Sequence, residues 1–400
     1  MWRYLVLAFL SVSFLLWILY LISTIRNYRM LPALVKDDSK LSKSLPKVSV
    51  IIPTRNESKR ITPCIESMKA QTYPNLEILI VDDSTDNTID IIKSIVKNDK
   101  RFRIIKEEKL RDGWVGKPHA MQQGSREAKG EWLLFIDADT VHDPEIITSA
   151  VKHAVKKKLD MLSVLSELIC KSFWEKVIQP IPTGLLIFIS PLGKVNDPKS
   201  KNAFALGPFI LIKHFVFDKI GGYEKIRGKI ADDVEMAKLL KESGFKIGLA
   251  RAHEMMKLRM YETFGGIWEG WSKNIFMGLV QKRGIQSKGK QLLILLIGLF
   301  VVFSMVVFPF ISVIFSLLVV FLLKLSFWWF IIGSSLIVWL ISILIQSFVH
   351  KKYCIGNPAF SPLYFIGGIV TMGIFLNSAV KTLSGKGVRW KDRVYSDVKP

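Results

Sequence analysis

Cysteine is scarce in this chain of 400 residues: Cys64, Cys170 and Cys354 are the only three, and no two lie close together. That excludes a disulfide scaffold and a CxxC zinc site. Charge is sparse too, at 22% of residues against 50% hydrophobic, which excludes a disordered chain. Acids are the scarcer sign, with 34 Asp and Glu against 56 Lys and Arg and a formal charge of +22. A chain both apolar and basic must segregate the two along its length, as membrane proteins with basic cytoplasmic flanks do. Nucleic acid is disfavoured as a partner, because the basic residues cluster beside apolar runs and no recognition motif is present.

The apolar residues gather at the two ends. Trp2 to Ile25 is nearly uncharged and followed by Arg26, Arg29 and Lys36. It is long enough to cross a bilayer, and its long apolar core without a clear cleavage site favours a retained anchor over a signal peptide. The excess of basic residues after it places the following segment in the cytoplasm. From Leu292 the chain turns apolar again. Leu292 to Leu323 is too long for one upright helix and carries Pro309 near its middle, so it reads as two tight spans or one kinked helix. Phe327 to Val349 and Phe360 to Val380 are further spans. A basic tail should be cytoplasmic, which requires an even number of spans after the soluble part and favours a split at Pro309. That solution leaves His350, Lys351 and Lys352 facing outward, against the same rule. The resulting organisation is an anchor (1–25), a linker (26–46), a cytoplasmic domain (47–289), a membrane region of three or four spans (290–380) and a basic tail (381–400). The protein is expected in the cell membrane as a multi-pass chain.

The central region reads as α/β. Continuous apolar runs at Val48–Ile52, Leu76–Val81, Phe102–Ile105 and Trp132–Ile136 alternate with helical patterns, including Thr88–Val96 and Pro118–Ala128. Four such alternations imply parallel strands joined by right-handed crossovers, with ligands bound beyond the strands' carboxyl ends. Residues 47–145 form this half and 146–289 a second half. Acids collect at three of those ends: Glu57 within Pro53-Thr54-Arg55-Asn56-Glu57, then Asp82 and Asp83, then Asp137 and Asp139. Asp137 and Asp139 flank Ala138, so in an extended segment they point to one side. Such a pair suits Mg²⁺ or Mn²⁺ bridging a diphosphate. Asp caps helices and turns as well, and one acid alone would carry little. His142 and His253 are more readily structural than ligands.

The runs IPTRNE, VDDSTD, GKPHAMQQG and FIDADT resemble the donor half of family-2 glycosyltransferases with a GT-A fold. With GWVGKPHA, Gly221-Gly222-Tyr223, Ala231-Asp232-Asp233, Glu269 to Asn274 and Lys386 to Tyr395, the chain is similar to a membrane-bound branch of that family. This branch includes carotenoid-acid and hopanoid-associated glycosyltransferases, and the likeness covers nearly the whole chain. The resemblance implies a nucleotide-sugar donor (a UDP-sugar or GDP-mannose) contacted by Pro53, Thr54, Glu57 and Lys117, with Asp82 or Asp83 at the base. Asp139 would be the principal metal ligand, and Asp137 would reach the metal through water or bind the ribose. In Ala231-Asp232-Asp233 the last acid would be the general base, Asp232 standing beside it, and attack opposite the diphosphate would invert configuration. The motif departs from a Thr-Glu-Asp type at its first two positions. A Gln-x-x-Arg-Trp motif of processive members is matched only by Trp271, which favours single sugar transfer. Trp268, Trp271 and Lys273 are acceptor-side candidates, the two tryptophans equally well core aromatics. Gln179 to Leu192, apolar and too short to span, is either buried core or a membrane-interface segment where a lipid acceptor would enter. Two other readings stand beside this one. The first is a polyprenyl-phosphate sugar transferase, whose acceptor needs no general base. The second is a non-catalytic scaffold or transporter, which the near absence of intramembrane charge (Lys324 alone between Leu292 and Val349) disfavours.

Overall fold

In the computed structural model, described for residues 2–36, 45–229, 231–282, 285, 287–384, 388–390 and 393–395, the alternating apolar runs do become buried parallel strands. β1 (Val48–Thr54), β2 (Leu76–Asp82), β3 (Phe102–Lys106) and β4 (Trp132–Ile136) pair in the order β3-β2-β1-β4. The side chains of β1, β2 and β4 bury on both faces, which is why they read as continuous rather than alternating runs, whereas the edge strand β3 is only half-buried, with Arg103 and Lys106 exposed. α2 (Ile61–Lys69) and α3 (Thr88–Val96) follow β1 and β2, and α4 (Gly116–Glu127) lies between β3 and β4.

Beyond β4 come β5 (Thr140–His142), α5 (Ile146–Lys156), β6 (Met161–Leu165), β7 (Glu167–Ile169), α6 (Phe173–Ile178), α7 (Pro180–Ile189), β8 (Phe209–Lys213) and α8 (His214–Lys219). α9 (Asp232–Glu242), β9 (Ile247–Arg251), β10 (Met256–Leu258) and α10 (Phe264–Lys282) complete the domain. β8 enters the main sheet antiparallel between β4 and β6, giving seven strands in the order β3-β2-β1-β4-β8-β6-β9. A second sheet, β11-β7-β10-β5, takes its edge strand β11 (Cys354–Ile355) from the membrane region. The soluble domain and the C-terminal helices are thereby joined through backbone pairing.

The long apolar helices are α1 (Trp2–Met30), α11 (Lys288–Val302), α12 (Phe308–Leu323), α13 (Phe327–Tyr353) and α14 (Tyr364–Leu383). Four stretches are long and apolar enough to cross a bilayer: Trp2–Met30, Lys288–Leu323, Phe327–Tyr353 and Pro358–Leu383. The expected split at Pro309 is not found. α11 and α12 are one bent helix, joined by a π turn at Phe303–Val307. Proline at 309 has no N–H to give the carbonyl four residues back, that of Met305. The indole Nε1–H of Trp17 donates to that carbonyl instead, at 2.7 Å, so it keeps a partner where the helix passes through the π turn.

The linker differs from expectation as well. α1 runs on to Met30, and the chain after it is tied to β9: Leu34 N–H donates to the Arg251 carbonyl and Arg251 N–H to that of Pro32. Only 37–44 of the linker lie outside the described residues, as do Lys386, Gly387, Lys391 and Asp392 of the tail motif; Val388–Trp390 and Arg393–Tyr395 pair as a small hairpin.

Candidate active site

The carboxyl ends of β1 and β4, the start of α4 and the start of α9 face one cavity of about 1100 Å³. Pro53, Thr54, Arg55, Glu57, Lys117, Asp137, Asp139, Asp232 and Asp233 all line it. Acids from both halves of the chain thus meet, which the spacing of motifs along the sequence could not by itself require.

Lys117 sits at the centre of the charge arrangement. Its Nζ pairs with Asp137 Oδ1 at 2.5 Å. Burial works against its charge, but the carboxylates of Asp137, Asp232 and Asp233 outweigh burial and raise its pKa. Asp233 is held by main-chain donors: Gly207 N–H gives to Oδ2 and Val234 N–H to Oδ1, each at 2.8 Å. A Cβ on Gly207 would lie 3.0 Å from Lys117 Nζ and 3.3 Å from Asp233 Oδ2, so glycine lets the backbone approach both. Burial raises the Asp233 pKa, opposed by Lys117 and by those two N–H groups. Burial also pushes Asp232 up to about 7, with Asp233 and Asp137 adding to the shift and Lys117 opposing it.

Asp139 is pushed up to about 7, first by burial and then by the carboxylates of Asp137 and Glu57. Its Oδ1 is buried without a hydrogen-bond partner. Two neighbouring carboxylates, one with an unpaired buried oxygen, suit a divalent cation that takes its remaining ligands from a diphosphate and water. Among the described residues no group of three His, Cys, Asp or Glu side chains forms a complete metal cage.

Some candidates lie elsewhere. Asp82 is buried and committed: it accepts from Thr54 Oγ1 at 2.7 Å, from Ser84 Oγ at 2.6 Å and from Ser84 N–H at 3.0 Å. It braces Thr54 and does not line the cavity. Asp83 is ion-paired with Arg55 and does not line it either. Both acids at the end of β2 therefore support the residues at the end of β1. Trp271 and Lys273 on α10 line the cavity, and the buried Nε1–H of Trp271 is unpaired. Trp268 turns to α14, where its ring would meet a Cβ on Gly373 at 2.8 Å. His142 hydrogen-bonds Thr140 Oγ1 through Nε2 at 2.7 Å, and burial lowers its pKa to about 3. His253 stacks on Tyr28. Both are structural.

The sequence reading missed a buried pair, Glu107 Oε1 and His119 Nδ1 at 2.7 Å, with Glu107 lining the cavity at the end of β3. It also missed Arg60 and Tyr261 in the lining. The turn GKPHA contains His119 and the run from Pro53 to Glu57 lies just before Arg60, but nothing local joins β3 to α4 or points to Tyr261.

The arrangement defines a GT-A-like α/β fold with acids gathered at its sheet edge. Residues 49–221 match the family model described as Glycosyl transferase family 2. Over 235 residues the chain is 26% identical to 4,4'-diaponeurosporenoate glycosyltransferase of Staphylococcus aureus (strain USA300), covering 58% of this chain and 61% of that protein. It is 32% identical over 116 residues to Glycosyltransferase GlyG of Streptococcus pneumoniae serotype 4, covering 29% of this chain and 37% of that one. The match thus spans about three fifths of the first relative's length. The mannosyltransferase PcManGT from Pyrobaculum calidifontis, solved in complex with GDP-Man and Mn²⁺, shares the fold at a TM-score of 0.53 and 17% identity. That alignment covers 96% of this chain and 99% of the other.

Proposed function

We propose that this protein is a membrane-bound, inverting glycosyltransferase that moves one sugar from a nucleotide-sugar donor, a UDP-sugar or GDP-mannose, to a hydrophobic acceptor. The observation that carries the reading is the single cavity, which runs from the acid cluster to apolar side chains of α7, α10, α11 and α14. A polar donor and an apolar acceptor can meet there. The relatives named above, one acting on a carotenoid acid by its name and one solved with GDP-Man, are consistent with both partners.

The donor's diphosphate lies near Lys117 and the Asp137–Asp139 pair. Those two carboxylates would hold a divalent cation, Mn²⁺ or Mg²⁺, which supplies Lewis-acid neutralisation of the leaving diphosphate. Asp233 takes the proton of the acceptor O–H as that oxygen bonds to the anomeric carbon and the nucleoside diphosphate departs from the opposite face. Its raised pKa strengthens it as a base, and the two main-chain donors fix its oxygens. Asp232 shares the pocket and sets the local charge. Lys117 offsets the crowded carboxylates. A lipid phosphate acceptor fits less well, since Asp232, Asp233, Glu235 and Glu269 line that side against Lys273.

In the proposed topology α1, α11–α12 and α13 cross the membrane, and α14 does not. Tyr364 at its start bonds Ser342, well inside α13, and Phe365 stacks on Phe310 of α12. From there α14 runs beside α10 and α11, with Phe276 N–H donating to Ser378 Oγ. Two crossings after the catalytic domain put Arg26, Arg29, Lys351, Lys352 and Lys381 all on its side, the cytoplasmic one.

Asp233→Asn tests the chemistry. Transfer of labelled sugar to extracted lipid should fall by about 10³-fold or more with donor binding retained; a fully active variant would overturn the mechanism.

A further inference from the structure

The cavity has a second end that donor chemistry does not use. Past Trp271 its walls become apolar: Leu186 and Ile189 on α7, Ile297 and Val301 on α11, and Phe375 on α14. Ile189 is 40% exposed and Ile297 54% exposed, and both line the cavity, so its apolar end is bordered by accessible side chains of α7 and α11. The neighbouring Leu293 and Leu296 of α11 are also exposed, so an apolar surface of a helix long enough to cross a bilayer adjoins this end of the cavity. Inside, Gly278 of α10 lines the wall, and a Cβ built on it meets no atom within 4 Å. On the opposite helix a Cβ on Gly298 would strike the Phe375 ring at 2.4 Å, so that side is already closed by packing. Where the apolar part meets the acid cluster stands Trp271, which lines the cavity and is 7% exposed, packed against Ile178, Ile267 and Ile374.

We infer that the acceptor's hydrocarbon chain enters sideways from the bilayer between α7 and α11, lies along α10, α11 and α14, and is measured for length at Gly278. This rests on the reading of a hydrophobic acceptor given above and adds where its chain lies and what limits it. The oxygen-bearing end of the acceptor then reaches Asp233 past the Trp271 ring. Selectivity for long chains comes from the apolar area buried in this chamber.

The test uses the full chain in detergent micelles, a labelled nucleotide sugar, and two primary alcohols, 1-octanol and 1-eicosanol. Wild type should favour eicosanol by about tenfold or more, since each added methylene in the chamber contributes to binding. Gly278→Phe should cut the eicosanol-to-octanol ratio by about tenfold, because the ring takes the space of several methylenes. An unchanged ratio overturns the chamber. Should Gly278→Phe lose transfer to both alcohols, a diazirine-bearing hexadecanol on the wild-type chain decides: label on α10 or α11 supports the chamber, and label confined to α12 and α13 refutes it. Absence of transfer from wild type to either alcohol while labelled donor is still hydrolysed sinks the hydrophobic-acceptor reading, and this inference with it.

Discussion

Asp232→Asn separates a site kept for chemistry from one kept for stability. The carboxyl is buried, its Oδ2 has no partner, and its pKa rises from 3.8 to about 7, with burial the largest cause. A folded pKa above the unfolded one means that the native state binds the proton more tightly. The group's contribution to stability is therefore complete below about pH 4 and lost as pH rises through about 7. At pH 8 the ionised side chain costs on the order of 4 kcal/mol relative to its neutral form. Asn has the same shape and no charge, though its buried amide without a full set of partners costs about 1–3 kcal/mol. Lys117 keeps Asp137 and Asp233 as counter-charges in the variant. The net expectation at pH 8 is stabilisation on the order of 1–3 kcal/mol, or about 2–4 °C in Tm per kcal/mol for a domain of this size. At pH 5 wild type is already protonated at this position, and the variant should gain nothing. The assay is thermal unfolding of the metal-free, nucleotide-free chain by tryptophan fluorescence at the two pH values. A variant less stable than wild type at pH 8, or displaced equally at both, would refute the reasoning.

Lys117→Met removes the cation that lowers the pKa of both Asp232 and Asp233, so the acidic limb of the kcat/KM profile should move to higher pH; an unmoved limb counts against Lys117 as their counter-charge. Glu175→Gln breaks a fully buried carboxylate that takes two bonds from Arg259, at 2.9 and 3.0 Å, and caps α6 through Ser172. Denaturant unfolding should show a loss of about 3 kcal/mol. Trp17→Phe strips the Met305 carbonyl of its donor and should cost about 1–3 kcal/mol, read as a lower Tm in detergent. In a Pro309→Ala background, where an N–H returns, that cost should shrink, and a double-mutant cycle measures the difference.

Much of the donor half was legible because parallel strands covered on both faces leave continuous apolar runs, and their ends mark the ligand edge without further information. Asp137, Asp139, Lys117, Asp232 and Asp233 stand in one cavity as that logic expects. Position at a strand end does not tell which way a side chain turns. Asp82 follows β2 as Asp137 follows β4, yet its oxygens are taken by Thr54 and Ser84, and only the hydrogen bonds separate a residue that lines the site from one that braces it. Trp268 and Trp271 sit three positions apart on α10, but the first turns to α14 and the second to the cavity. Glu107 and His119 were hidden for another reason: their pairing joins β3 to α4, a contact no local pattern records. The antiparallel insertion of β8 is likewise a matter of long-range pairing, since its five residues could read as a strand of either direction.

The membrane region inverts that balance, because there composition was plain and its meaning was not. Hydropathy finds apolar length, and α14 has enough of it to cross a bilayer. What decides its course is its neighbours: Gly367, which a Cβ would drive into the Val177 carbonyl at 2.0 Å, Gly368 against Val306, and Ser378 against Phe276. The first of these holds α14 under α6 of the soluble domain, the second ties its early turns to the π turn, and the third carries it along α10. Counted as a crossing, α14 forced either a split at Pro309 or basic residues on the wrong side. The split fails on chemistry, since Trp17 satisfies the carbonyl that proline leaves open and the helix continues. In the proposed topology, with α14 beneath the domain, Lys351, Lys352 and Lys381 would share a side with Arg26 and Arg29, and Arg3 and Lys324 would stand at the far end, where Arg3 rests on the ring of Phe327 beside the α12–α13 turn.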